Sequence, residues 1–86
     1  MQTETHKQYD KAWAKLNIGQ QQRALAAIKL FLLDPTHPQL RLHQLKGDYY
    51  PHYSISAGGD LRIHYLQRSE DTIVLMLIGT HSQLYG

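Results

Sequence analysis

The most continuous hydrophobic run in the chain is Thr72-Ile73-Val74-Leu75-Met76-Leu77-Ile78, closed by Gly79. No polar residue alternates within it, so it predicts a strand covered on both faces, at the centre of a sheet. Its β-branched content and the glycine stop favour a strand over a buried helix. Elsewhere the period changes. Residues 1 to 5 alternate polar types and suit a short edge strand. Thr5 is a candidate N-cap, after which Tyr9, Ala12, Trp13 and Leu16 form a one-sided stripe at helical spacing. Asn17-Ile18-Gly19 breaks that helix. Gln20 to Leu33 predicts a stronger one, with Ala24, Leu25, Ile28, Phe31 and Leu32 on the buried side and Arg23 and Lys29 in solvent. Asp34-Pro35 stops it, because the residue before a proline is pushed out of the helical region.

Two helices joined by so short a break make an αα-hairpin that needs a further layer to cover its stripe. The rest of the chain supplies one. Thr36 to Gly47 stays extended around Pro38, with Leu40, Leu42 and Leu45 as anchors, and Gly47-Asp48 is a turn signal. Tyr53 to Ala57 alternates as a half-buried strand, and Gly58-Gly59 makes a tight hairpin into Asp60 to Leu66. There Leu61, Ile63 and Tyr65 share one face, while Asp60, Arg62 and His64 share the other. Gln67 to Asp71 is a polar turn into the apolar run. The predicted class is α+β: an N-terminal αα-hairpin packed on a small, curled, mainly antiparallel sheet, one domain over 1–86.

Composition removes several kinds of chemistry. The chain has 86 residues and no cysteine, which excludes a disulfide framework, a thiolate metal site and a cysteine nucleophile. An apolar share of 42% with 19% charged residues suits a folded globule rather than a disordered chain. No window reaches the roughly 18 apolar residues of a membrane helix. The first residues lack the charged and apolar regions of a secretory signal, so a cytoplasmic protein that avoids membranes is expected.

The formal charge is only +2, but it is unevenly placed. Between Leu40 and Tyr65 the acids Asp48 and Asp60 face Arg41, Lys46 and Arg62, with His43, His52 and His64 among them and His81 beyond. Such a patch suits a polyanion or an acidic partner chain. Asp60, Arg62 and His64 on one strand face read either as a solvated face with a weak ion pair or as an anion site built on the guanidinium. His43 reads as a loop histidine or a proton carrier. His81, between Gly79-Thr80 and Ser82, stands at a strand end, and imidazole exchanges protons near neutral pH. Tyr85 is either a base-stacking ring or part of a terminal hydrophobic plug.

None of the six histidines has the helical or alternating spacing of a zinc site. Neither a nucleophile elbow nor a phosphate-binding glycine loop occurs. No metal and no small-molecule cofactor is expected.

Taken in order, His43-Gln44-Leu45-Lys46-Gly47-Asp48, Gly59-Asp60-Leu61-Arg62-Ile63-His64-Tyr65 and Ile78-Gly79-Thr80-His81-Ser82-Gln83-Leu84-Tyr85 resemble the RelE/ParE toxin superfamily, specifically its YafQ-like branch. The helical pair and its Leu33-Asp34-Pro35 ending extend the likeness over nearly the whole chain. The resemblance implies the toxin of a type II toxin–antitoxin pair. It implies a ribosome-dependent endoribonuclease that cuts mRNA in the 30S A site, where the 2′-hydroxyl attacks the adjacent phosphate. The expected partners are a cognate antitoxin and mRNA on the ribosome.

By the same likeness His81 is the general acid, His43 and Asp60 carry base or positioning roles, and Arg62 holds phosphate. Lys46, His64 and Tyr85 are the expected RNA contacts. The chain departs from the YafQ pattern at Ser56, Leu61 and Leu77, where histidine, tryptophan and arginine are usual. Arg62 and His64 stand nearby as replacements. A ParE-like gyrase poison and a catalytically weakened antitoxin-binding module are the alternative functions on the same fold.

Overall fold

Asn17 opens the longer helix. Its side chain accepts from the Gln20 N–H at 2.8 Å, while the Gln20 side chain accepts from the Asn17 N–H at 3.1 Å. This reciprocal cap satisfies two donors of the first turn. Helix α2 accordingly spans Ile18–Leu33, beginning ahead of the predicted Gln20, and ends at Asp34 before Pro35. Helix α1 spans Lys7–Ala14 and is capped by His6, whose Nδ1 accepts from the Gln8 N–H at 3.1 Å. Thr5, the predicted cap, is instead the last residue of strand β1, Gln2–Thr5. The computed structural model describes residues 1–85; Gly86, the last residue of the predicted domain, lies outside them.

The remaining strands are β2 (His43–Gln44), β3 (Tyr53–Ser56), β4 (Leu61–Ser69) and β5 (Thr72–Thr80). They form one five-stranded sheet in the order β1-β5-β4-β3-β2, antiparallel except where β1 runs parallel to β5. The α+β class, the helical pair and the meander are as predicted. The hydrophobic run is not quite. Strand β4 is central, and β5 lies one position away with Val74, Met76 and Leu77 only half-buried.

A register shift explains the lost alternation. His64 pairs with Leu77 and Tyr65 with Leu75, so Met76 is an extra residue on β5. The bulge lets Ile73 and Leu75 on one side of it, and Ile78 on the other, all reach the core. The core joins Tyr9 of α1 and Ala24, Ala27 and Phe31 of α2 to Ile55, Ile63, Tyr65 and Leu75 of the sheet. Phe31 and Tyr65 meet at 4.9 Å between ring centroids. Leu25 and Leu32, predicted to be buried, are 56% and 42% exposed. The small side chains of Ala24 and Ala27 lie flat against the sheet, which turns these leucines outward. Leu40 and Leu45 are buried anchors, and Leu42 packs against the core from a half-buried position. Among the described residues no helix is long and apolar enough to cross a membrane.

Candidate functional site

Beyond β5 the chain does not continue as a loop. It turns into a short helix α3, His81–Tyr85. The Thr80 N–H donates to Gln83 Oε1 at 2.8 Å, and the Gln83 N–H donates to Thr80 Oγ1 at 3.2 Å. This is the capping box that Thr-x-x-Gln spacing permits. Gly79 lets the helix fold back on its own strand, because a Cβ there would stand 3.0 Å from Gln83 Oε1 and 3.5 Å from Leu84 Cδ2. Two further hydrogen bonds hold α3 down. Tyr49, in the 3₁₀ turn Gly47–Tyr49, donates its hydroxyl to the Leu84 carbonyl at 2.7 Å. The His81 N–H donates to the Asp60 carbonyl at 2.9 Å.

The Tyr85 side chain at the end of α3 comes to rest over His64 of β4. Strand parity puts Arg62 and His64 on the side of β4 turned away from α1 and α2, yet their surroundings differ. His64 is 0% exposed, packed against Tyr49 at 4.9 Å and Tyr85 at 5.6 Å between ring centroids. Its expected place on an open, RNA-contacting face is thereby corrected: α3 and Tyr49 cover it. Its Nε2 lies 2.9 Å from Tyr85 Oη. Asp60 is also displaced from the prediction, since it belongs to the turn before β4 and touches His81 through its backbone carbonyl.

Arg62 stays half-buried, paired with Ser56 on β3 and Gly79 on β5. Its Nη1 donates to the Gly59 carbonyl at 2.9 Å, the Leu61 carbonyl at 3.1 Å and Ser56 Oγ at 3.3 Å. The guanidinium is therefore fixed by one nitrogen, and its other donors have no hydrogen-bond partner among the described residues.

Beside it opens a shallow cleft of about 600 Å³. His43, Lys46, Arg62, His81 and Tyr85 all line it, as does Arg41, counted in the sequence only as part of a basic patch. Among the described residues, no carboxylate side chain lines it. His43 stands exposed on β2 with its Nδ1 2.9 Å from the Arg41 carbonyl. A carbonyl only accepts, so Nδ1 carries the proton and a neutral ring presents Nε2 as a base. His81 is exposed and lies 4.8 Å from the Tyr85 ring. Of the three positions departing from the YafQ pattern, Ser56 binds Arg62, Leu77 pairs with His64, and Leu61 is wholly buried away from the cleft. Tyr49 went unnoticed in the sequence, where nothing local separates it from its neighbour Tyr50. Among the described residues, no group of three or more His, Cys, Asp or Glu is arranged to hold a metal ion.

Burial, aided by the neighbouring His52 and His43 charges, pushes the His64 imidazole from the ordinary 6.5 down to about 4. Between those values the unfolded chain binds a proton that the folded one refuses. The stability that His64 contributes is thus complete above pH 6.5 and is lost as the pH falls to about 4. Burial of His52 acts in the same direction. Wild-type protein is expected to lose on the order of 3 kcal/mol between pH 7 and pH 4 through His64, measured by urea denaturation. The His64→Leu variant should lack that part of the decline. An equal decline in both proteins would mean that His64 is not the group being titrated.

No protein-family model matches the chain, and no curated protein matches it at the significance required. Solved structures do. Escherichia coli YafQ superposes with a TM-score of 0.80 at 17% identity, over 98% of this chain and 97% of that one. The chain matched in the E. coli DinJ–YafQ toxin–antitoxin complex gives 0.69 at 18% identity, over 98% and 96%. The archaeal RelE–RelB complex of Pyrococcus horikoshii gives 0.72 at 20% identity, over 95% and 96%. The chain has the fold of the RelE and YafQ toxins.

Proposed function

We propose that this chain is the toxin of a type II toxin–antitoxin pair and acts as a ribosome-dependent mRNA endoribonuclease. On this reading it works in the cytoplasm as one domain, without a cofactor, and is held inactive by an acidic segment of its antitoxin. The observation that supports it most is the convergence of His43, Lys46, Arg62, His81 and Tyr85 on one cleft.

RNA supplies its own nucleophile, so the protein needs only to move two protons and to stabilise phosphate charge. His43, with Nδ1 committed to the Arg41 carbonyl, takes the 2′-hydroxyl proton at Nε2. The freed 2′-oxygen attacks the adjacent phosphorus, and the bond to the 5′-oxygen breaks. His81, exposed and lining the same cleft, gives its proton to that leaving oxygen. The products are a 2′,3′-cyclic phosphate and a 5′-hydroxyl. Arg62 neutralises the phosphorane-like charge, a task for a guanidinium already held in place. Lys46 and Arg41 attract the flanking backbone, and Asp60 positions His81 through its carbonyl.

Brief induction followed by mapping of transcript ends tests this reading, with a gyrase supercoiling assay alongside. New 5′-hydroxyl ends within translated messages are expected, and supercoiling should be unaffected. Inhibited supercoiling with intact messages would make the chain a gyrase poison instead.

A further inference from the structure

His64 is a polar residue in an unusual place. It sits on the central strand, 0% exposed, and a histidine so buried is expected to find partners for both ring nitrogens. Among the described residues it has only one. Nε2 meets Tyr85 Oη at 2.9 Å, while Nδ1 is buried with no hydrogen-bond partner there.

That asymmetry decides the direction of the bond. If the Tyr85 hydroxyl donated to Nε2, the ring proton would lie on Nδ1, as a buried N–H with nothing to accept it. If Nε2–H donates to the phenol oxygen, Nδ1 is left as an unfilled acceptor. Buried orphan N–H groups are rarer than under-satisfied acceptors, so the second arrangement is favoured. The hydroxyl proton of Tyr85 then has no partner among the described residues, and Tyr85 lines the cleft.

Resting on the nuclease reading, we infer that His64 is a positioning residue: its Nε2–H holds the Tyr85 oxygen so that the phenol proton points into the cleft, as a hydrogen-bond donor to a phosphate oxygen. The surroundings fit this role. Tyr49 stands edge-on to the Tyr85 ring at 5.6 Å and 89°, and its hydroxyl ties down the backbone of the neighbouring Leu84. Burial and the Tyr49 hydroxyl raise the Tyr85 phenol above its usual range, outweighing the opposing pull of Arg62. The phenol therefore keeps its proton at neutral pH and serves as a donor rather than a base. Depressed basicity keeps His64 neutral there too, so the tautomer is a real choice.

Two measurements test the inference. A long-range ¹H–¹⁵N spectrum of ¹⁵N-labelled protein at neutral pH should show the His64 ring protonated at Nε2 and bare at Nδ1, with His64→Gln removing that signal. A proton on Nδ1, or on both nitrogens, would overturn the proposal. In RNA cleavage, Tyr85→Phe and His64→Leu should each lower kcat about tenfold with little change in KM. The double variant should be no slower than Tyr85→Phe alone, and His64→Gln, which keeps an N–H donor, should recover most of the loss. Full additivity of the two losses would show that His64 does not act through Tyr85. A wild-type protein that cuts no mRNA on ribosomes would sink the nuclease reading, while the tautomer would still decide whether His64 orients the hydroxyl.

Discussion

Replacing His81 by alanine is expected to lower RNA cleavage by about 10²–10⁴-fold, the usual contribution of a positioned acid or base. The position allows a clean test. The His81 side chain is exposed and supports no part of the core, while its anchoring bond to Asp60 runs through the backbone and survives the change. The thermal midpoint should therefore stay close to that of wild type. Growth arrest on expression should disappear, and cleavage of mRNA on ribosomes in vitro should fall by that factor. An alanine variant that arrests growth as strongly as wild type would take the proposed acid out of the site, and with it the main chemical reason for a nuclease.

The second large effect is expected at Arg62. Its Nη1 is bound to the Gly59 and Leu61 carbonyls and to Ser56 Oγ, so the guanidinium reaches the cleft with little freedom left to lose. Arg62→Ala should slow cleavage by several tens-fold, about 2–3 kcal/mol for a lost charged contact to phosphate. Lysine should not restore it, because an ammonium cannot hold those carbonyls and a phosphate oxygen in the same fork. The loss should fall on kcat more than on KM, since charge on the phosphate grows in the transition state. Unchanged single-turnover cleavage by Arg62→Ala would leave the residue a structural pin of the hairpin.

Much of this site was legible from residue order, and the parts that were not failed for different physical reasons. The capping box that starts α3 is written in Thr80 and Gln83, yet the adjoining apolar run invites a strand that simply ends in a loop. Local signals were present there and were outweighed. His64 is different. Parity assigns its face correctly, but parity says nothing about what else will cover that face, and Tyr49 lies 15 positions away in the chain. Leu25 and Leu32 fail in the opposite sense: their spacing is helical, but which arc of the helix meets the sheet depends on where small residues allow close approach.

The amino-acid sequence by itself determined the helical pair and its proline stop, the Gly58-Gly59 hairpin and the inward face of β4. It also determined which acid, base and cation types were available. These follow from interactions among residues a few positions apart, where period, caps and turn geometry act. The tertiary structure alone decided that His43, Arg62 and His81 share a cleft, that Asp60 meets His81 through its backbone carbonyl, and that His64 lies beneath Tyr85. Those outcomes depend on strand order, on the Met76 bulge and on α3 folding back over Gly79. Each brings together groups far apart in the chain, and short-range preferences carry no information about such meetings.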